Sequence, residues 1–309
     1  MKRFLIIVSA YLSAVAFLTC GLNFLYKKLD KSDNDYTKKF NDVPYNIKIC
    51  NFGSSHGVDD FNYCDVNNEV CFNFALRSQS LSYDLRVLKN YSERLAEGGT
   101  AYIVVSFFSL FGCDETEQEN FLSLNKRYYD FLPKKLIKEY SFKERFYRFF
   151  PSLTKGSEVF SVFFSKNEND ITWQEMADPV KVSMDAKYAY ERHIITNKID
   201  ENGDRIYNKE EIDALIEMIK LLKEKGVEPI LVTTPYMKEY MELVKNNESF
   251  LKDFYGVINE ITSTLSVKYL DYSTDERFIN DYYLFRNSDH LNKEGARIFT
   301  DILIGDTIG

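Results

Sequence analysis

The apolar positions of this chain change period along its length, and the changes predict its elements. The front is apolar without a period: Phe4 to Tyr26 is 23 residues with no charged side chain, between Lys2 and Arg3 on one side and Lys27 and Lys28 on the other. At ~1.5 Å per residue such a helix crosses a hydrocarbon layer of ~30 Å, so residues 1–28 are expected to be a transmembrane anchor. Residues 29–44 are charged and polar and read as a tether. Short β-branched or apolar runs then predict strands at Tyr45–Phe52, Glu69–Phe74 and Thr100–Ser106, the last apolar enough to be buried on both faces. Between them Leu81, Leu85 and Leu88 recur at helical spacing, and Gly98-Gly99 is expected to stop that helix.

The second half keeps the rhythm. Asn208 with Glu211 three residues later has capping-box spacing, and Ile212, Leu215, Ile216, Ile219 and Leu222 form one helical face that Gly226 ends. A strand over Pro229–Thr234, closed by Pro235, a helix over Glu248–Leu265, a strand over Val267–Tyr272 and a helix over Lys293–Leu303 complete the series. Strands alternating with helices predict an α/β domain over residues 45–309, a doubly wound parallel sheet of about five strands with helices on both faces. Residues of about 107–207 fit no repeat and are expected to be a large insert after the third strand, a lid or subdomain. Within it, Phe142 to Phe150 interleaves basic and aromatic residues. A helix packed on its own domain with arginines at the rim is the first reading of that stretch, and a membrane-surface helix the second.

Composition narrows the partners. A net charge of −8 argues against nucleic acid. Cys20, Cys50, Cys64, Cys71 and Cys113 show no metal-ligand spacing, Cys50 and Cys71 read as buried strand thiols, and no cofactor is called for. A cleaved signal peptide at Ala14-Val15-Ala16 and a lipoprotein at Cys20 are weaker readings of the front than an uncleaved anchor, because the apolar run continues through Tyr26. Lysines 27, 28, 31, 38 and 39 outnumber Lys2 and Arg3, and that count alone would keep the large domain in the cytoplasm.

The candidate chemistry lies at the two ends of the α/β pattern. Asn51-Phe52-Gly53-Ser54-Ser55-His56-Gly57 leaves the first strand through a glycine turn, which presents a serine at a strand carboxyl end. A serine hydroxyl is a nucleophile only when a base takes its proton, and His290, in Asn287-Ser288-Asp289-His290-Leu291-Asn292, is a histidine just before the last helix.

Gly-x-Ser after the first strand and Asn-x-x-His-Leu-Asn-x-x-Gly near the end resemble the first and last blocks of the SGNH/GDSL hydrolase superfamily. Within it the chain is most similar to membrane-anchored envelope acyl-transfer proteins, the polysaccharide O-acetyltransferases and the lipoteichoic-acid D-alanylation protein. The resemblance implies a flavodoxin-like sheet, Ser55 as nucleophile and His290 as base. The family's aspartate three residues before the histidine is replaced here by Asn287, so either Asp289 or Asn287 orients the ring. The family's oxyanion glycine and asparagine correspond to the neighbourhoods of Ser78 and Gln79 and of Ser106. There the backbone amides of Ser55 and of Ser78 or Gln79 remain as donors. His56, next to the nucleophile on a sharp turn, is expected to point away from the site, with lining the pocket as the second reading; His193 is expected to form a surface pair with Arg192, the second reading being that the two come over the site to bind an anionic or hydroxyl-rich acceptor. Thr233-Thr234-Pro235-Tyr236, at another strand end, is a candidate pocket wall.

The function so implied is that of a single-pass serine acyltransferase or esterase of the cell membrane, with its catalytic domain outside. It would act through an acyl-serine on envelope polysaccharide or teichoic acid. A multi-spanning membrane O-acyltransferase would deliver the acyl group, and a glycan or polyol-phosphate polymer would accept it. The alternative is a catalytically degenerate SGNH-type fold that binds envelope polymer or scaffolds such a partner.

Overall fold

The computed structural model describes residues 1–29, 35–66, 69–112, 125–154, 159–160, 176–196 and 199–308; Cys113 and part of the tether and of the insert lie outside these. The chain forms two compact units, Val43–Leu124 with Thr172–Gly309, and Met1–Asp42 with Asn125–Ile171. Sequence patterning had grouped the whole insert with the α/β domain, whereas its middle clusters with the N-terminal helix.

The first unit is a parallel sheet of five strands in the order β2-β1-β3-β4-β5. β1 is Ile47–Phe52, β2 Cys71–Asn73, β3 Leu95–Val104, β4 Glu228–Thr233 and β5 Lys268–Asp271. Alternation assigns the two faces. Ile49, Tyr102, Val104, Ile230 and Val232 share one apolar cluster with Phe299 and Leu303 of the Lys293–Ile308 helix. The intervening Ala101, Ile103 and Leu231 are fully buried on the other face, where the Leu81–Tyr91, Lys209–Glu224 and Glu248–Leu265 helices pack on one another. The continuous apolar runs of β3 and β4 are those of strands covered on both sides.

Two local expectations are corrected. Gly98-Gly99 does not end a helix; the Leu81–Tyr91 helix stops earlier, and β3 already runs through both glycines. The pairing of β1 with β3 shifts register between Ile47 and Ile49. Gly98 takes a φ of +70°, and a Cβ on Gly99 would lie 2.8 Å from the Lys48 carbonyl, so the pair forms a bulge that only glycine fits. The capping box at Asn208 is half formed. Asn208 Oδ1 accepts the Glu211 amide, but Asn208 N–H donates to the Leu110 carbonyl, and the Glu211 carboxylate accepts Ser82 N–H at 2.9 Å, in the first turn of the neighbouring Leu81–Tyr91 helix.

In the other unit, one helix among the described residues, Lys2–Lys28, is long and apolar enough to cross a membrane. The basic-aromatic stretch forms a helix over Phe142–Phe149, capped by Ser141.

Candidate active site

The strand order places the chain reversal of the sheet between β1 and β3, where connections leave in opposite directions and open a crevice at the strand carboxyl ends. β1 enters it through Gly53, whose φ of +141° and whose missing Cβ, 2.8 Å from Val104 Cβ were it present, admit no other residue without strain. Gly53 N–H is held by Asp84 Oδ1 at 2.9 Å, and the Ser55–Asp59 helix begins at once. Ser55 is thereby fixed at the head of that turn, half-buried.

His290 arrives from the turn before the last helix, and two carboxylates of the nucleophile turn clamp that loop. Asp59 pairs with Arg286 at 3.0 Å and Arg77 at 2.6 Å, and Asp60 Oδ1 accepts Leu291 N–H at 2.8 Å. Burial pushes the Asp60 carboxyl up to about 6. The result is a distance of 2.8 Å between Ser55 Oγ and His290 Nε2.

Both candidate orienting residues reach the other ring nitrogen. His290 Nδ1 lies 3.2 Å from Asn287 Oδ1 and 3.3 Å from Asp289 Oδ2. Asn287 Oδ1 also accepts His290 N–H at 2.9 Å, so it shapes the turn as well as facing the ring. Asp289 is buried, which pushes its carboxyl up, but His290, His56 and His193 around it hold it well below the usual carboxylate range. Burial would lower His290, and the Asp289 carboxylate, with Asp59 and Asp60 beyond it, raises it on balance.

Two histidine expectations are corrected. His56 does not point away: it is fully buried, stacks on His290 with ring centroids 4.6 Å apart and planes 17° apart, and its Nε2 faces Asp289 Oδ2 at 3.5 Å. A residue one step into a helix turns by about 100°, which here carries it inward beneath the His290 ring rather than outward. His193 is no surface residue either. It sits in a π turn, Glu191–Ile195, with Nε2 4.0 Å from Asp289 Oδ2 and Nδ1 3.2 Å from the Tyr240 hydroxyl, and burial lowers its pKa to about 3. All three histidines of the chain thus surround one carboxylate. Only the count of histidines, three in 309 residues, hinted at this in the sequence.

The expected oxyanion donors fare differently. Gln79 is corrected: its backbone N–H donates to the Leu76 carbonyl, and its side chain to Asp84 Oδ1 at 2.6 Å and the Phe74 carbonyl at 3.2 Å. It supports the Gly53 turn through Asp84. Ser106 is also spent, with its amide on Ser109 Oγ at 3.1 Å and its hydroxyl on His56 Nδ1 at 2.7 Å. Ser78 takes a φ of +53° in the turn after β2. Tyr236, from the Thr233–Tyr236 segment after β4, packs edge-on to His56 with centroids 5.2 Å apart, so that segment does wall the site.

Ligand atoms of His56, Asp289 and His290 lie within 4.8 Å of one another, the one such group among the described residues. The two imidazoles face each other as a stack, whereas coordination needs a metal in the plane of each ring, and His290 Nδ1 is already directed at Asp289 and Asn287. The set fits a hydrogen-bonded array better than a metal centre.

A five-stranded, all-parallel sheet with Ser55 after β1 and His290 before the last helix is the arrangement that the resemblance to the SGNH/GDSL hydrolases implies. Residues 178–296, less than half of the chain, match the family model described as DltD protein. No curated protein matches the sequence. Among solved structures, a candidate platelet activating factor from Streptococcus pneumoniae is 11% identical, with 96% of this chain and 99% of that chain covered and a TM-score of 0.42. A candidate acylhydrolase from Bacteroides fragilis is 10% identical over 91% of this chain and 100% of its own, with a TM-score of 0.38. A catalytic mutant of an acetylxylan esterase from Geobacillus stearothermophilus is 9% identical over 85% and 95%, also at 0.38.

Proposed function

We propose that the protein is a membrane-anchored serine O-acyltransferase or esterase of the cell envelope, acting on polysaccharide or teichoic acid. The observation that carries the reading is the 2.8 Å contact of Ser55 Oγ with His290 Nε2, in a ring whose Nδ1 faces two oxygen acceptors. Those acceptors favour the tautomer with its proton on Nδ1 and its lone pair on Nε2 toward the serine. His290 then takes the Ser55 proton as Oγ bonds to the acyl carbon, and returns it to the leaving group. An acyl-serine remains. A polymer hydroxyl, deprotonated by the same Nε2, attacks the ester carbon and releases Ser55. The amides of Ser55 and Ser78 are the candidate donors to the developing oxyanion, since those of Gln79 and Ser106 are engaged elsewhere.

The N-terminal helix and the family resemblance support an anchored domain facing outward, with the acyl group delivered by a multi-spanning membrane O-acyltransferase. Long domains translocate largely regardless of flanking lysines. Protease treatment of intact cells should therefore cut the large domain; a protected domain would place it inside.

The test of the chemistry is fluorophosphonate labelling of the full-length protein followed by intact mass. Adduct on the wild type, abolished in both Ser55→Ala and His290→Ala, is expected. A folded wild type without adduct would overturn the enzyme reading in favour of a polymer-binding or scaffolding protein.

A further inference from the structure

The Phe142–Phe149 helix is amphipathic the wrong way round for a soluble unit. At 3.6 residues per turn, Phe142, Phe146 and Phe149 fall within an arc of roughly 60°, with Glu144 and Arg148 on the opposite side. The charged side is the one tied to its own unit: Arg148 makes a two-pronged pair with Asp130, at 2.7 Å for the closest contact, and Glu144 pairs with Lys126 at 3.1 Å. The phenylalanine side faces out, with Phe142 71%, Phe146 50% and Phe149 59% exposed. Burial of apolar surface drives folding, so a helix that spends its charges inward and leaves three phenylalanines outside is built to meet an apolar phase.

Its depth relative to the anchor identifies that phase. Asn23, a buried polar residue inside the apolar run of the N-terminal helix, donates to the Phe149 carbonyl at 3.0 Å and accepts from the Ser152 hydroxyl at 3.0 Å. Four residues on, the Lys27 ammonium lies 4.8 Å from the Phe149 ring centroid. Lys27 and Lys28 mark the end of the span, where lysines reach into the headgroups. Asn23 is therefore about one helical turn, ~6 Å, inside that level, and Phe149 is bound to it there. The cationic rim continues along the helix, with Lys134 Nζ 4.4 Å from the Phe142 ring and Lys143 Nζ 5.8 Å from the Tyr147 ring.

We propose that the Phe142–Phe149 helix lies in the lipid–water interface of the membrane that holds the anchor, with Phe142, Phe146 and Phe149 in the outer acyl region and Lys134 and Lys143 among the lipid phosphates. This rests on reading the N-terminal helix as an anchor. It gives Asn23 a function, as the latch that joins the interfacial helix to the spanning one. The aromatic and basic composition is that of monotopic helices, which bury an apolar face to ~5–10 Å.

The test uses the full-length protein in vesicles of phosphatidylcholine and phosphatidylglycerol whose acyl chains are brominated near the glycerol end. The native Trp173 is replaced by Phe, and a single indole is introduced as Phe146→Trp. Loss of most of the indole emission in brominated relative to plain vesicles is expected. Phe142→Trp reads the same face if the first variant folds poorly, and Lys143→Trp should be quenched less. Flotation of the vesicles reports the anchor separately. Protein that floats with the vesicles but keeps full, water-like indole emission at 142 and 146 overturns the interfacial helix and leaves the anchor standing; an indole that is blue-shifted yet unquenched points to a protein partner on this face and equally overturns it. Protein that does not float overturns the anchor, and the interfacial helix with it.

Discussion

Asp289→Asn tests how the site divides the orienting role between two residues. Asp289 Oδ2 is 3.3 Å from His290 Nδ1. At that distance, with an effective dielectric near 20, a unit ion pair gains roughly 5 kcal/mol, of which burial of both groups takes back a large share. What remains acts when His290 becomes an imidazolium in the transition state. Asn287 Oδ1, 3.2 Å from the same nitrogen, keeps an acceptor in place after the substitution. The loss should therefore stay below the ~10⁴ in kcat seen when a serine-protease triad loses its only acceptor. We expect kcat/KM for an activated acetyl ester to fall about 10²–10³-fold, or about 3–4 kcal/mol. The acid limb of the pH–rate profile should move as well. His290 works as a base only when neutral, and the carboxylate raises its pKa, so removing the charge should move the limb to lower pH. Asp289 itself is depressed, so its contribution to stability is present above the ordinary carboxyl value of ~3.9 and lost as pH falls through its lower folded value. At neutral pH the variant should consequently be less stable by about 2 kcal/mol, read from urea midpoints. In Asn287→Ala the ring keeps the Asp289 carboxylate beside it but the turn loses two backbone bonds, and the double variant should cost more than the two singles together, because each acceptor shelters the loss of the other. An unchanged rate in Asp289→Asn beside a large loss in Asn287→Ala would refute the reasoning and leave Asn287 as the sole orienting group.

Three further substitutions bear on the scaffold. Gly53→Ala puts a Cβ 2.8 Å from Val104 Cβ at a φ of +141°, and should cost about 2–3 kcal/mol and slow fluorophosphonate labelling; a wild-type melting curve would contradict the steric argument. His56→Phe keeps a ring beneath His290 but removes one partner of the Ser106 hydroxyl and the second imidazole facing Asp289, so ester hydrolysis should fall about tenfold with a destabilisation of about 1–2 kcal/mol. Equal rate and midpoint would make His56 mere filler. Glu211→Ala leaves Ser82 N–H without its carboxylate, and thermal unfolding should show a loss of about 1–2 kcal/mol while the labelling rate is unaltered.

What was legible in the sequence was what local pattern specifies. Continuous apolar runs between helical faces determined β3 and β4 and their parallel order, because strands buried on both sides leave no polar positions to confuse with another period. The glycine turn at Gly53 and the histidine before the last helix gave Ser55 and His290 as a candidate pair for the same reason: both sit at element ends whose position the fold class alone dictates. Where several partners compete for one group, the sequence was silent. Asn208 and Glu211 read as a capping box, but Leu110, distant in the chain, takes the Asn208 amide, and Glu211 accepts an amide of another helix. Gln79 read as an oxyanion donor, yet a tight turn had already claimed its amide. His56 and His193 carry no local signal at all. Only the packing of the nucleophile helix, the π turn and the His290 loop brings them to Asp289, since a buried carboxylate gathers whatever donors the tertiary structure sets beside it, and their sequence separation plays no part.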